Sequence, residues 1–96
     1  MLDETSGRYI AKDRIIELSR RETRMLYYLI KNKHRIVTYE ELSRFVYCNY
    51  RYDKYARDSL LVLVHKLRAK IKGVLEITNK TQLGYGIKYI KESKES

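Results

Sequence analysis

The sequence predicts an α+β domain in which short strands are followed by three helices and a closing β-hairpin. Three observations carry that prediction. Ser19 and Thr38 are each followed three residues later by a glutamate, Glu22 and Glu41, the pattern in which side chains and backbone exchange hydrogen bonds at a helix start. Leu60, Val64, Leu67 and Ile71 recur at steps of four, three and four, which places them on one face of a long helix, and Gly73 stands where that helix ends. Outside the helices, β-branched and aromatic residues gather in short runs separated by polar stretches. A chain of 96 residues suffices for one such domain and is too short for two.

Each element follows in order. Residues 1–7 are polar and aperiodic and read as a mobile N-terminal segment; 91–96 read as a mobile C-terminal tail, leaving 8–90 as the folded domain. Tyr9 to Ala11 and Arg14 to Leu18 read as two short strands about the polar turn Lys12-Asp13. The Ser19–Glu22 box opens a first helix, about Arg20 to Asn32, whose inner face is Met25, Leu26, Leu29 and Ile30. Ile36-Val37 is a short extended piece. The Thr38–Glu41 box then opens a second helix with Leu42, Phe45 and Val46 inward. The third helix spans about Ala56 to Lys72. Leu75 to Thr78, the polar stretch 79–82 and Leu83 to Ile90 form the hairpin. The order describes a helix-turn-helix core with a β wing: a three-helix core, short N-terminal strands and a C-terminal hairpin.

Composition narrows the function. Twenty-one Lys and Arg against twelve Asp and Glu leave a net charge of +9, which favours a polyanionic partner such as nucleic acid or an acidic membrane face. The longest apolar run, Leu60 to Val64, is far too short to span a bilayer, and no export signal opens the sequence. Cys48 is the sole cysteine, which excludes an internal disulfide and fits a reducing cytoplasm; with only His34 and His65 beside it, no metal site is expected. A glycine-rich phosphate loop, a nucleophile elbow and a tight carboxylate pair are all missing from the sequence, so neither catalysis nor a cofactor is expected.

Four segments carry a resemblance to a known family. Leu18-Ser19 with Glu22 and Leu26, Val37-Thr38-Tyr39-Glu40-Glu41-Leu42, Val64-His65-Lys66-Leu67-Arg68-Ala69-Lys70-Ile71, and Gly84-Tyr85 stand in the order and spacing of a winged-helix effector domain. Over Ile16 to Tyr89 the chain resembles the OmpR/PhoB-type DNA-binding domain of bacterial response regulators. That resemblance implies a transcription regulator's output domain, with its recognition helix in the major groove, its wing at the minor groove and the loop between the second and third helices, Cys48 to Tyr55, facing RNA polymerase. The usual family domain opens with a four-stranded sheet, of which only the last two strands have counterparts in the sequence reading. No phosphate-receiving domain lies within these 96 residues.

Contact residues follow from the helical register. With the Leu60 stripe inward, the outward positions include Asp58, Ser59, Leu61, Val62, His65, Lys66, Arg68, Ala69 and Lys72, with Leu63 at the boundary. Lys66 and Arg68 suit phosphates or guanine edges, and Arg57, with Arg35 and Lys54, suits backbone phosphates; all of them equally fit a solvated face. Lys80 and Thr81 sit at the expected wing tip, where cations favour a narrow minor groove. Tyr85 joins the expected DNA-binding set, although its ring also suits packing of the wing on the third helix.

Other residues leave alternatives open. Leu61 and Leu63 stand where the family tends to place an acid and a histidine, and Asp58 where it often has Arg. Either the domain reads DNA shape and backbone, or this face meets protein as an interaction module with little DNA reading, or a register shift buries Leu61 or Leu63. Tyr50, Tyr52 and Tyr55 read as a partner surface, or as ordinary packing in a tyrosine-rich sequence. Tyr47, where the family often has Trp, is expected to close the core and point its hydroxyl at a phosphate. Cys48 is either a thiolate sensor beside Arg51 or Lys54, or a buried inert thiol. Two copies are expected on repeated half-sites, because a single module covers only about 600–1,000 Å² of DNA.

Overall fold

The structure, a computed structural model, describes residues 1–48 and 52–90. It opens with an antiparallel sheet of β1 (Leu2–Asp3), β2 (Arg8–Ile10) and β3 (Ile15–Glu17), in that order. Tyr9 and Ile16 pair across β2 and β3 and turn into the core, while the Ile10–Ile15 and Arg8–Glu17 pairs face out. The first seven residues are therefore not a free end: Leu2 pairs with Tyr9, and Gly7, at φ 71°, donates to the Asp3 carbonyl and accepts from Leu18. Residues 91–96, expected as a tail, lie outside the described residues.

Helix α1 (Arg20–Lys31) begins as the sequence dictates. Ser19 accepts from the Glu22 N–H at 3.2 Å, and the Glu22 carboxylate accepts from the Ser19 N–H at 2.7 Å, so the box closes in both directions. Met25, Leu26 and Leu29 are buried. Helix α2 (Tyr39–Tyr47) closes only half its box: Thr38 accepts from the Glu41 N–H, but the Glu41 side chain turns away to Arg35 and the Tyr28 hydroxyl. A guanidinium is the stronger donor, and it wins. Leu42 and Val46 face inward; Phe45 is half-buried and stacks on the Tyr28 ring at 4.4 Å.

Helix α3 (Lys54–Ile71) begins two residues earlier than periodicity indicates, because the Asp53 carboxylate caps it through the Ala56 N–H at 2.9 Å. Its inner face is Ala56, Leu60, Leu63, Val64, Leu67 and Ile71. Gly73, at φ 88°, takes the left-handed conformation just past the helix end.

The second sheet has the order β4-β6-β5, built from β4 (Val37–Thr38), β5 (Leu75–Lys80) and β6 (Gly84–Tyr89), all antiparallel. Thus the wing hairpin is anchored by a third strand placed between α1 and α2. Gly84 lies between Thr38 and Lys80, and a Cβ there would stand 2.0 Å from the Val37 carbonyl oxygen. Close approach of β4, rather than turn geometry, demands glycine at this position. The turn itself closes with Leu83 donating to the Lys80 carbonyl, with Gln82 in the left-handed region at φ 65°.

Candidate nucleic-acid interface

Helix α3 is 18 residues long, about 27 Å at 1.5 Å per residue, and crosses the molecule with one side in the core. Its outer side is a ridge of Asp58, Val62, His65 and Ala69, all exposed. Lys66 flanks the ridge on one side; Leu61 and Lys72 flank it on the other. Beside α3 runs the wing, and between them lies an open groove walled by His65, Arg68 and Lys72 from the helix and by Glu76, Thr78 and Asn79 from β5.

The fold separates the basic residues into two groups. Arg57, Lys66, Lys72 and Lys80 are exposed and have no acidic partner among the described residues. Arg35 and Lys70 are committed elsewhere. Arg35 holds Glu41 through both guanidinium nitrogens, which, with the Tyr28 hydroxyl, brings the carboxyl down to about 2 against the cost of partial burial. The Lys70 ammonium lies 2.7 Å from the Glu22 carboxylate, tying the end of α3 to the start of α1. Burial pushes the Glu22 carboxyl up, but the Lys70 and Ser19 hydrogen bonds outweigh it, and the net shift is downward.

Arg68 belongs to both groups. Half-buried, it donates to the Ile77 carbonyl at 2.9 Å with its guanidinium 6.0 Å from the Tyr85 ring centroid, fastening α3 to the wing. Tyr39 does the same from α2: its hydroxyl donates to Asn79 Oδ1 at 2.7 Å and its ring meets Tyr85 edge-on at 5.1 Å. These ties fix the wing relative to α3, so a groove-sized ligand meets a preset surface.

Of the residues read from the sequence, Arg57, Val62, His65, Lys66, Lys72, Lys80 and Thr81 are exposed, and Ser59 is half-buried. Tyr85 corrects the expectation of a DNA contact. It is 2% exposed, its ring forms part of the core, and burial raises its hydroxyl above the ordinary tyrosine value. Tyr47 likewise turns its hydroxyl to the Ser59 carbonyl at 3.1 Å, not to solvent. Leu63 is buried while Leu61 stays 50% exposed, so the helix register removes one of the two apolar residues from the outer face and leaves the other.

Of the expected tyrosine surface, two members are described. Tyr55, 83% exposed, stands in the first turn of α3 two turns before Val62, on the same side of the helix, because Asp53 draws the helix start forward. Tyr52 is half-buried, with a hydroxyl that meets no hydrogen-bond partner among the described residues. Tyr50 lies outside the described residues. Cys48 is exposed, not buried; it ends α2 in the left-handed conformation, with an Arg24 nitrogen 3.8 Å from its sulfur. The sequence reading missed the roles of Tyr39 and of the Glu22–Lys70 pair. An aromatic at the first position of α2 was their one local sign, and partners 40 and 48 residues away leave no pattern in sequence.

Comparison with known proteins agrees with this arrangement. The model of the family described as transcriptional regulatory protein, C terminal, matches residues 12–87. Among solved structures, the C-terminal domain of the nisin resistance regulator NsrR, a lantibiotic response regulator, is similar with a TM-score of 0.72 and 25% identity, over 85% of this chain and 84% of that one. The DNA-binding domain of Bacillus subtilis CssR has a TM-score of 0.77 at 21% identity, covering 92% and 98% of the two chains. That of the response regulator AdeR, solved in complex with an intercistronic region, has a TM-score of 0.74 at 20% identity, covering 91% of each. No curated protein matches the chain. With the family matched over most of its length and the three-helix, winged architecture shared, the chain belongs to the OmpR/PhoB-type family, the winged-helix DNA-binding output domains of response regulators.

Proposed function

We propose that the domain grips double-stranded DNA with α3 along the major groove and Lys80 and Thr81 of the wing at the minor groove. The observation that carries this reading is the set of Arg57, Lys66, Lys72 and Lys80, exposed along α3 and the wing and unpaired with any acid among the described residues. Free cations facing phosphate gain the entropy of released counterions without first breaking a bond within the protein. Arg68 and Ser59, half-buried, support the α3 surface more than they extend from it.

Two copies bind neighbouring half-sites, since α3 and the wing together offer a single module's area. The Cys48–Tyr55 region, in part outside the described residues, faces RNA polymerase, and with chromosomal DNA as partner the domain acts in the cytoplasm without catalysis of its own. Selection of duplexes from a random pool, followed by sedimentation equilibrium on the recovered site, tests the proposal. Enrichment of a repeated motif bound by two copies is the expected result. Recovery of no motif, with weak and salt-insensitive duplex binding, would favour instead a protein-interaction module using Leu61 and Val62.

A further inference from the structure

We infer that Leu61 and Val62 read thymine C5-methyl groups, so that the domain selects thymine-bearing half-sites through apolar contact where polar base readout is sparse. The inference rests on the proposed placement of α3 in the major groove and goes beyond it in naming what the helix recognises.

The outer side of α3 has unusual chemistry for a surface that meets base edges. Its ridge of Asp58, Val62, His65 and Ala69 contains one imidazole and one carboxylate able to hydrogen-bond. Val62 is 55% exposed and Leu61 50%, although every other Leu and Val of the helix is buried. The two side chains lie about 100° apart around the helix, either side of the line through His65, so they reach different base steps. Neither contributes to the core, and leaving both in water has no folding benefit.

Charge decides the occupant. Arg57 and Lys66 share the helix surface with the two apolar side chains, Lys72 closes its end, and Lys80 stands on the adjacent wing; none has an acidic partner among the described residues. A partner must therefore be densely anionic around an apolar spot. Major-groove DNA has that pattern, because the thymine methyl is the only apolar group on any base edge there and phosphates line both rims. An aliphatic side chain against cytosine or guanine leaves donors and acceptors dry and unpaired, so the same contact penalises G·C pairs.

The test uses the intact chain and a duplex recovered by selection, resynthesised with uracil in place of each thymine in turn, which removes the methyl and nothing else. Affinities are read by fluorescence anisotropy at one fixed salt concentration. At one or more thymines per half-site, uracil weakens binding about four-fold, the partition value of one methyl-sized group. Val62→Ala or Leu61→Ala brings the thymine-to-uracil ratio at its own position to about one. Lys66→Ala weakens both duplexes and keeps the ratio. Tight, salt-sensitive binding that is indifferent to uracil at every thymine overturns the inference and leaves the proposed function standing. A ratio that neither alanine variant alters also overturns it. Absence of any duplex binding at low salt overturns the proposed function, and this inference with it.

Discussion

The two sides of this domain differ in how many of their cations the protein itself engages. On the side formed by the first sheet, α1 and α2, five cations are engaged by the protein itself, Lys70 by Glu22 at 2.7 Å, Arg8 by Glu17 at 3.0 Å, Arg44 by Glu40, Arg35 by Glu41, and Arg24 by the Phe45 carbonyl, while Arg20, Arg21 and Lys31 of α1 have no acidic partner among the described residues. Along α3 and the wing, Arg57, Lys66, Lys72 and Lys80 have no acidic partner among the described residues. A net charge of +9 is therefore a poor guide to where an anion binds. What matters is which cations the fold leaves uncommitted, because a paired cation must give up its partner before meeting phosphate.

Four substitutions or titrations sharpen that contrast, and the largest effect is expected on the committed side. Glu22→Ala removes the side-chain half of the α1 capping box, leaving the Ser19 cap, and strands Lys70; denaturant unfolding should show a loss of about 2–3 kcal/mol. Arg68→Ala, at the border between the sides, breaks the Ile77 tie and the stack over Tyr85; a loss of about 1–2 kcal/mol in stability should accompany weaker duplex binding, since the wing loses its fixed position.

Acid should also weaken the committed side. The Glu41 carboxyl, held by Arg35, sits at about 2 against an ordinary 4.5, so its contribution is complete above pH 4.5 and is lost as pH falls from there toward 2. Glu22, also lowered, acts in the same direction. Urea midpoints measured across that window should fall, and less steeply for Glu41→Gln. The smallest effect is expected from Arg8→Ala. It breaks an exposed cross-strand pair remote from α3 and should change stability by under about 0.5 kcal/mol without altering the salt dependence of duplex binding.

The contrast also explains what the sequence could and could not convey. Local rules were readable: Ser19 with Glu22 marks the α1 start, the Leu60 stripe marks the buried side of α3, and Gly73 marks its end. The outer positions of α3 follow from the same register, so Val62, His65, Lys66 and Lys72 emerge on the surface as expected. Partner identity was not readable. Periodicity tells which side of a helix is buried and nothing about what lies opposite, so Arg35 and Tyr85 read as available from the sequence although the fold engages both. Strand β1, two residues paired to Tyr9 and Arg8, is too short to show alternation, and the β4–β6 pairing joins positions some fifty apart. Leu63 fell on the boundary of two registers, and only packing assigns it to the core.

The central claim is tested most directly by the log–log dependence of duplex affinity on salt for the wild-type chain and for Lys66→Ala/Lys72→Ala/Lys80→Ala, with circular dichroism showing that both are folded. If these uncommitted cations meet phosphate, the slope should shrink by about three, roughly one for each cation removed. An unchanged slope in a folded triple variant would contradict the account, because it would put the phosphate contacts on some other face of the domain.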